Sequence, residues 1–285
     1  MIRAKVLGAT VLAAGLAVAP DSAAAQAEVG AQVDLFSAYV WRGLSLTNKP
    51  VVEPSVYLSF PAGTASVTVG GWANIDIGEY DDPADDISES GGVGSFNLAE
   101  FDPYAEVSVP AGKATLTGGI TGYIYPNDFG LTDDFNTWEI YGKVGFEEVP
   151  LAPELAVYYD IDKIEGAYIQ ASVAHSVPLN ETLSLDLGAL AGVSAGQHAD
   201  LDDAGIPQAE FYNFAENGLT HIDLSAGLPL TAGVFSITPV VHFQISSDEA
   251  TKVNSPSNDD EDFKLWGGVS IGWSKTLGEE AAAEE

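Results

Sequence analysis

Cysteine is absent from this 285-residue chain, and that one absence removes disulfides, thiolate metal sites and cysteine nucleophiles together. Basic residues are scarce: ten Lys and Arg stand against 42 Asp and Glu, for a formal charge of -32. A polyanion such as nucleic acid is excluded as a partner. Long apolar runs are scarce too. Only residues 6–19 form one, and it falls short of the ~20 residues that a membrane-spanning helix needs. If this chain belongs to a membrane, it must enter as strands. Disorder is excluded by what remains, since 46% of the residues are apolar and 30 are glycine.

The one apolar run reads as part of a secretory signal over residues 1–25. Arg3 and Lys5 give a positive start, and Ala23, Ala24 and Ala25 precede Gln26 as an A-x-A cleavage site. Its removal takes two positive charges and one negative, moving the net charge from -32 to -33. The mature chain is expected to be one barrel domain over 26–276, followed by an acidic tail over 277–285.

Period-two alternation runs through nearly the whole mature chain. In residues 29–60, Val29, Ala31, Val33 and Leu35 oppose Gln32 and Asp34, then Val52, Val56, Leu58 and Phe60 oppose Glu53, Ser55, Tyr57 and Ser59. Within this stretch S-A-Y-V-W-R-G-L-S-L-T-N-K-P, with Tyr39, Val40, Trp41, Arg42, Gly43 and Ser45 at its core, resembles the opening hairpin of a TorF-like family of proteobacterial outer-membrane proteins. That resemblance implies a porin-like barrel and no reaction.

The same cycle repeats to the end of the chain, giving about twelve strands. Short turns carrying Pro61, Pro110, Pro150, Pro178 and Pro229 alternate with mostly longer connections rich in Asp and Glu. Short periplasmic turns and longer external loops are the habit of outer-membrane barrels. On the apolar face no Asp, Glu, Lys or Arg occurs, as lipid would demand. Aromatics divide between its two ends: Phe60, Phe146, Phe235 and Trp273 beside the Pro turns, Trp41, Trp138, Phe243 and Phe263 at the far ends. The expected fold is all-β: a transmembrane, antiparallel, up-and-down barrel in the outer membrane of a Gram-negative bacterium.

The opposite face carries Asp34, Glu53, Asp76, Glu100, Asp102, Glu106, Glu139 and Asp223 against few cations, among them Arg42. Acid around a narrow lumen predicts a channel for small, preferentially cationic or neutral solutes. Arg42 is expected to end the first strand at the outer mouth and pair with Glu53. His221 and His242 are expected to face each other across a turn centred on Thr231. A sealed barrel, filled by inward rings such as Tyr123, Tyr158 and Tyr168, is one alternative. An outer-membrane hydrolase of the phospholipase type is another, although His175 and Ser176 alternate to opposite faces and no G-x-S-x-G elbow is present. No cofactor is implied. The partners are outer-membrane lipid and small solutes, with the acidic runs at 81–86 and 258–263 offering oxygen ligands to Ca²⁺ or Mg²⁺.

Overall fold

The computed structural model describes residues 26–78, 96–126, 136–180, 183–202, 208–209, 211–253, 255–256 and 262–277. The expected signal, the tail beyond Leu277, the run at 81–86 and most of that at 258–263 lie outside the described residues.

The strands are β1 (Glu28–Phe36), β2 (Tyr39–Trp41), β3 (Leu44–Thr47), β4 (Val51–Ala62), β5 (Ala65–Asp76), β6 (Asn97–Ala111), β7 (Ala114–Tyr123) and β8 (Thr137–Gly145). They continue with β9 (Glu154–Asp160), β10 (Ala167–Pro178), β11 (Ser184–Ala195), β12 (Gly218–Gly227), β13 (Leu230–Ala232), β14 (Phe235–Ser246) and β15 (Phe263–Thr276). All but β2 and β3 belong to one antiparallel sheet, in which β1 pairs with both β4 and β15, so the sheet closes on itself. β12 and β13 are two halves of one stave: both pair with β14 in a single register, from Gly227↔Val240 to Leu230↔Ile237. The ladder lapses between them, where Pro239 has no N–H to donate. The result is a closed barrel of twelve staves without a free edge.

Alternation sorts the side chains in the reverse of the order found in a water-soluble protein. In β9, Leu155, Val157 and Tyr159 are exposed while Ala156, Tyr158 and Asp160 are buried. Of the charged residues in the staves only Lys275, at the turn end of β15, falls on the outward face. Phe60, Trp138, Phe146, Phe235 and Phe243 are exposed on that face, and Phe263 packs its ring 5.6 Å from that of Phe243.

Three turns share one construction. Ala62↔Ala65, Ala111↔Ala114 and Ala232↔Phe235 each leave two residues between them, the first being Gly63, Gly112 or Gly233 at φ +69, +68 or +62. A glycine of positive φ at the first position is the requirement of a type II′ hairpin turn, whose twist suits the strands. The prolines expected in the turns, Pro61 and Pro110, are instead paired inside their strands, one residue before the last pair. The Gly233 turn also overturns the expected histidine pairing. It centres two residues later than Thr231, so His221 faces Ser246 and His242 faces Ser225.

Inside the turn-side half, three tyrosines lie flat over glycines directly opposite them in register: Tyr57 on Gly30, Tyr104 on Gly70 and Tyr141 on Gly119. A Cβ on any of these glycines would collide with the ring. Missing side chains on one strand thus make room for bulky inward rings on the next.

Candidate functional site: a hairpin inside the barrel

β1 stops at Phe36, six residues short of where alternation alone would end it. Ser37 is held to Gly267 by bonds in both directions, its N donating at 3.0 Å and its Oγ accepting at 3.2 Å. The chain then turns into the lumen, and β2 and β3 form a separate two-stranded hairpin. Trp41↔Leu44 leaves Arg42 and Gly43 as a two-residue turn with φ of +48 and +86, the two positive values that a type I′ turn requires. Placing arginine in that region costs about 1–2 kcal/mol, which the contacts at the tip must offset.

Those contacts reach most of the way round the wall. Arg42 grips Glu139 of β8 with both prongs, Nη1 to Oε1 at 2.7 Å and Nη2 to Oε2 at 2.6 Å. Tyr123 donates to the same carboxylate at 2.7 Å, and Gln197 Nε2 to its other oxygen at 3.4 Å. The guanidinium lies 4.3 Å from the centre of the Trp41 ring and 4.6 Å from those of Tyr158 and Tyr168. Burial disfavours its charge, yet Glu139 and Tyr123 outweigh that and hold its pKa above the ordinary arginine value. The Gly43 carbonyl accepts from Lys264 Nζ at 3.0 Å and Gln244 Nε2 at 2.9 Å. Glycine is needed here for space as well as for φ, because a Cβ would stand 2.7 Å from the His221 ring.

Apolar packing seats the base of the hairpin. Tyr39, Leu46, Val51 and Trp72 cluster with Phe36, Trp41 and Leu44 against them. Leu44 also touches a second group, Tyr141, Ala156, Tyr158, Tyr168 and Phe214. Phe214, from the segment after β11, is fully buried and stacks 6.0 Å from Tyr168. Beside the tip a cavity of about 20 Å³, lined by Arg42, Tyr168, Asp223, Gln244 and Trp266 among others, has room for a water or two.

Every acid expected in the lumen points there. Asp34 stands directly opposite Glu53 in the β1–β4 register and accepts from Gln32 Nε2 at 2.9 Å. Glu100 accepts from Tyr39 at 2.9 Å, Asp102 is fully buried beside it, and Asp76 is buried on β5. Glu106 accepts from Tyr141 at 3.0 Å with Lys143 at 3.6 Å, and Asp223 meets His242 Nδ1 at 3.1 Å. Among the described residues no Lys or Arg forms an ion pair with Asp34, Glu53, Glu100 or Asp102.

Two expectations fail at the hairpin. Arg42 pairs with Glu139, 97 positions away, and not with Glu53, because the tip swings across the lumen instead of rising to the mouth. Trp41, expected on the lipid-facing rim, is inside the barrel against Arg42 and Tyr123 for the same reason. The signal for both was present in R-G flanked by Y-V-W and L-S-L, a two-residue turn between short alternating runs. Gln197 and Phe214 sit in an irregular segment with no periodicity to betray them.

Residues 20–204 match the model of a bacterial family described only as of unknown function, Gcw_chp. The chain belongs to that family. That description carries no TorF name. No curated protein matches it. Among solved structures it is similar to the COG4313 outer membrane channel from Pseudomonas putida F1, with a TM-score of 0.52 and 9% identity over 88% of this chain and 96% of that one. LpxR from Salmonella typhimurium follows at 0.46 and 8%, covering 86% and 99%. Outer membrane phospholipase A from Escherichia coli gives 0.38 and 9%, covering 87% and 92%. At 9% identity the likeness to the outer membrane channel is one of fold alone.

Proposed function

We propose that this protein is an outer-membrane channel for small solutes with a preference for cations, held shut by its own first-loop hairpin. The observation that carries the reading is the inserted tip. One loop-borne guanidinium stands in a lumen whose β1–β4–β6 side presents Asp34, Glu53, Glu100 and Asp102 without a basic partner among the described residues. Removing the hairpin leaves the acid, and acid in a narrow low-dielectric passage concentrates cations. An outward face charged only at Lys275, at its turn end, supports the membrane setting. A permanently sealed barrel is the weaker reading, because a buried ion pair gains little over apolar filling of the same volume. The hydrolase reading finds less support still: His175 lies on the outward face, and His242 Nε2 has no hydroxyl partner among the described residues.

Planar-bilayer recordings test the proposal on wild type and on a variant in which residues 38–47 are replaced by two glycines. Folding is checked by the heat-modifiable shift of barrel proteins on gels. We expect several-fold higher conductance in the variant and a cation-selective reversal potential under a salt gradient, weakening as salt screens over the ~10 Å Debye length at 0.1 M. Absence of conductance from the folded variant, or an anion preference, overturns the reading.

A further inference from the structure

Arg42 occupies a site that the barrel wall builds without it. Glu139 offers two oxygens in the plane of a fork of donors, with distances of 2.7 and 2.6 Å. Tyr158 and Tyr168 present ring faces at 4.6 Å. The carboxylate is held from behind by Tyr123 at 2.7 Å and Gln197 at 3.4 Å, and it is almost completely buried. The rings are held as well: Tyr141, Tyr158 and Tyr168 follow one another at 5.6 and 6.2 Å, with Phe214 stacked on the last at 6.0 Å. Of the groups around the guanidinium, only Trp41 belongs to the hairpin.

We propose that this wall is a binding site for solutes bearing a guanidinium group, and that Arg42 is a tethered occupant which such a solute displaces. A planar, delocalised cation suits a bidentate carboxylate between aromatic faces, whereas an ammonium, a point charge with a tight hydration shell, matches neither the fork nor the flat faces. Tethering explains why the site is closed at rest, since a loop-borne ligand acts at an effective concentration in the millimolar range and competes with any free one. The inference rests on the channel reading for its biological meaning, since it names the class of solute that opens and crosses the lumen. The site itself is a separate claim.

The test is calorimetric titration of detergent-purified Arg42→Ala protein, folded by the gel criterion, with ethylguanidinium, ethylammonium and neutral ethylurea at low millimolar concentration. We expect ethylguanidinium to bind roughly tenfold or more tightly than ethylammonium, and ethylurea not at all. Adding Glu139→Gln should weaken ethylguanidinium roughly tenfold or more. Should Arg42→Ala fail to fold, the variant with residues 38–47 replaced by two glycines, which frees Glu139 altogether, takes its place. Equal binding of the three probes, or indifference to Glu139→Gln, overturns the proposal. Conductance by the hairpin-less variant with no guanidinium preference leaves the channel reading standing and removes this one. Guanidinium binding without conductance does the reverse.

Discussion

Glu139 and Asp34 are both buried acids of the lumen, yet removing their charges should have opposite effects. Glu139 neutralises a guanidinium with two short bonds, so Glu139→Gln leaves that charge buried with half its acceptors gone. The loss of one partner of a buried pair costs about 3–5 kcal/mol. Asp34 faces Glu53 across the ladder with no cation between them, and like charges directly opposite destabilise a sheet by about 0.2–1 kcal/mol. Asp34→Asn is therefore expected to raise the urea midpoint slightly while Glu139→Gln lowers it sharply, both followed by the folded gel band. Equal shifts would show that the tip is not anchored through this pair. Which acids face inward was readable from parity alone, since a strand keeps its faces. Which acid meets Arg42 was not, because a partner 97 positions away follows from where the chain leaves its strand, and one residue of strand end redirects everything beyond it.

Four glycine turns of two kinds act at the level of the hairpin. Gly63, Gly112 and Gly233 close staves at the turn end, where a Cβ meets nothing within 4 Å, so alanine there suffers only from the positive φ, about 1 kcal/mol. Gly43 closes β2 on β3 inside the lumen, where a Cβ also strikes His221. Gly43→Ala should thus unseat the tip and raise conductance, whereas Gly112→Ala should cost similar backbone strain and leave conductance at the wild-type level. Equal conductance in the two variants would mean that the tip does not close the passage. The staves and their short turns were legible because alternation and the Ala-Gly signals agree. The inward hairpin was harder to read because Tyr39 and Trp41 continue the odd-numbered apolar parity of β1, which left the two-residue R-G turn as the one mark of the break after Phe36.

At the scale of the whole molecule, the alternation of short turns with mostly longer, acidic connections gives the barrel two unlike ends. A tag inserted near Asp85 or Asn258 is expected to be reached by antibody on intact cells, and a tag near Gly63 or Gly112 only after the outer membrane is broken. The opposite labelling would invert the orientation. Closure, stave number and the sorting of faces all follow from a period of two sustained over the chain. The content of the lumen does not, since it depends on how one loop folds against most of the staves at once.

One bond at the tip carries a consequence for assembly. Lys264 reaches the Gly43 carbonyl across 221 positions, from the last stave to the first loop. Gln244 of β14 reaches the same carbonyl, so its seating is complete only once the last two staves are in place, and β15 also supplies the Ser37 contact at the root of the hairpin. The tip of an unfinished barrel therefore lacks part of its seating, and the peptide bond after Arg42 is expected to stay within reach of trypsin until the last staves close. Resistance to cleavage at that bond, followed during insertion into vesicles, is expected to appear together with the final seam and never before it. The arginine thereby serves as a clock hand for completion, visible on a gel.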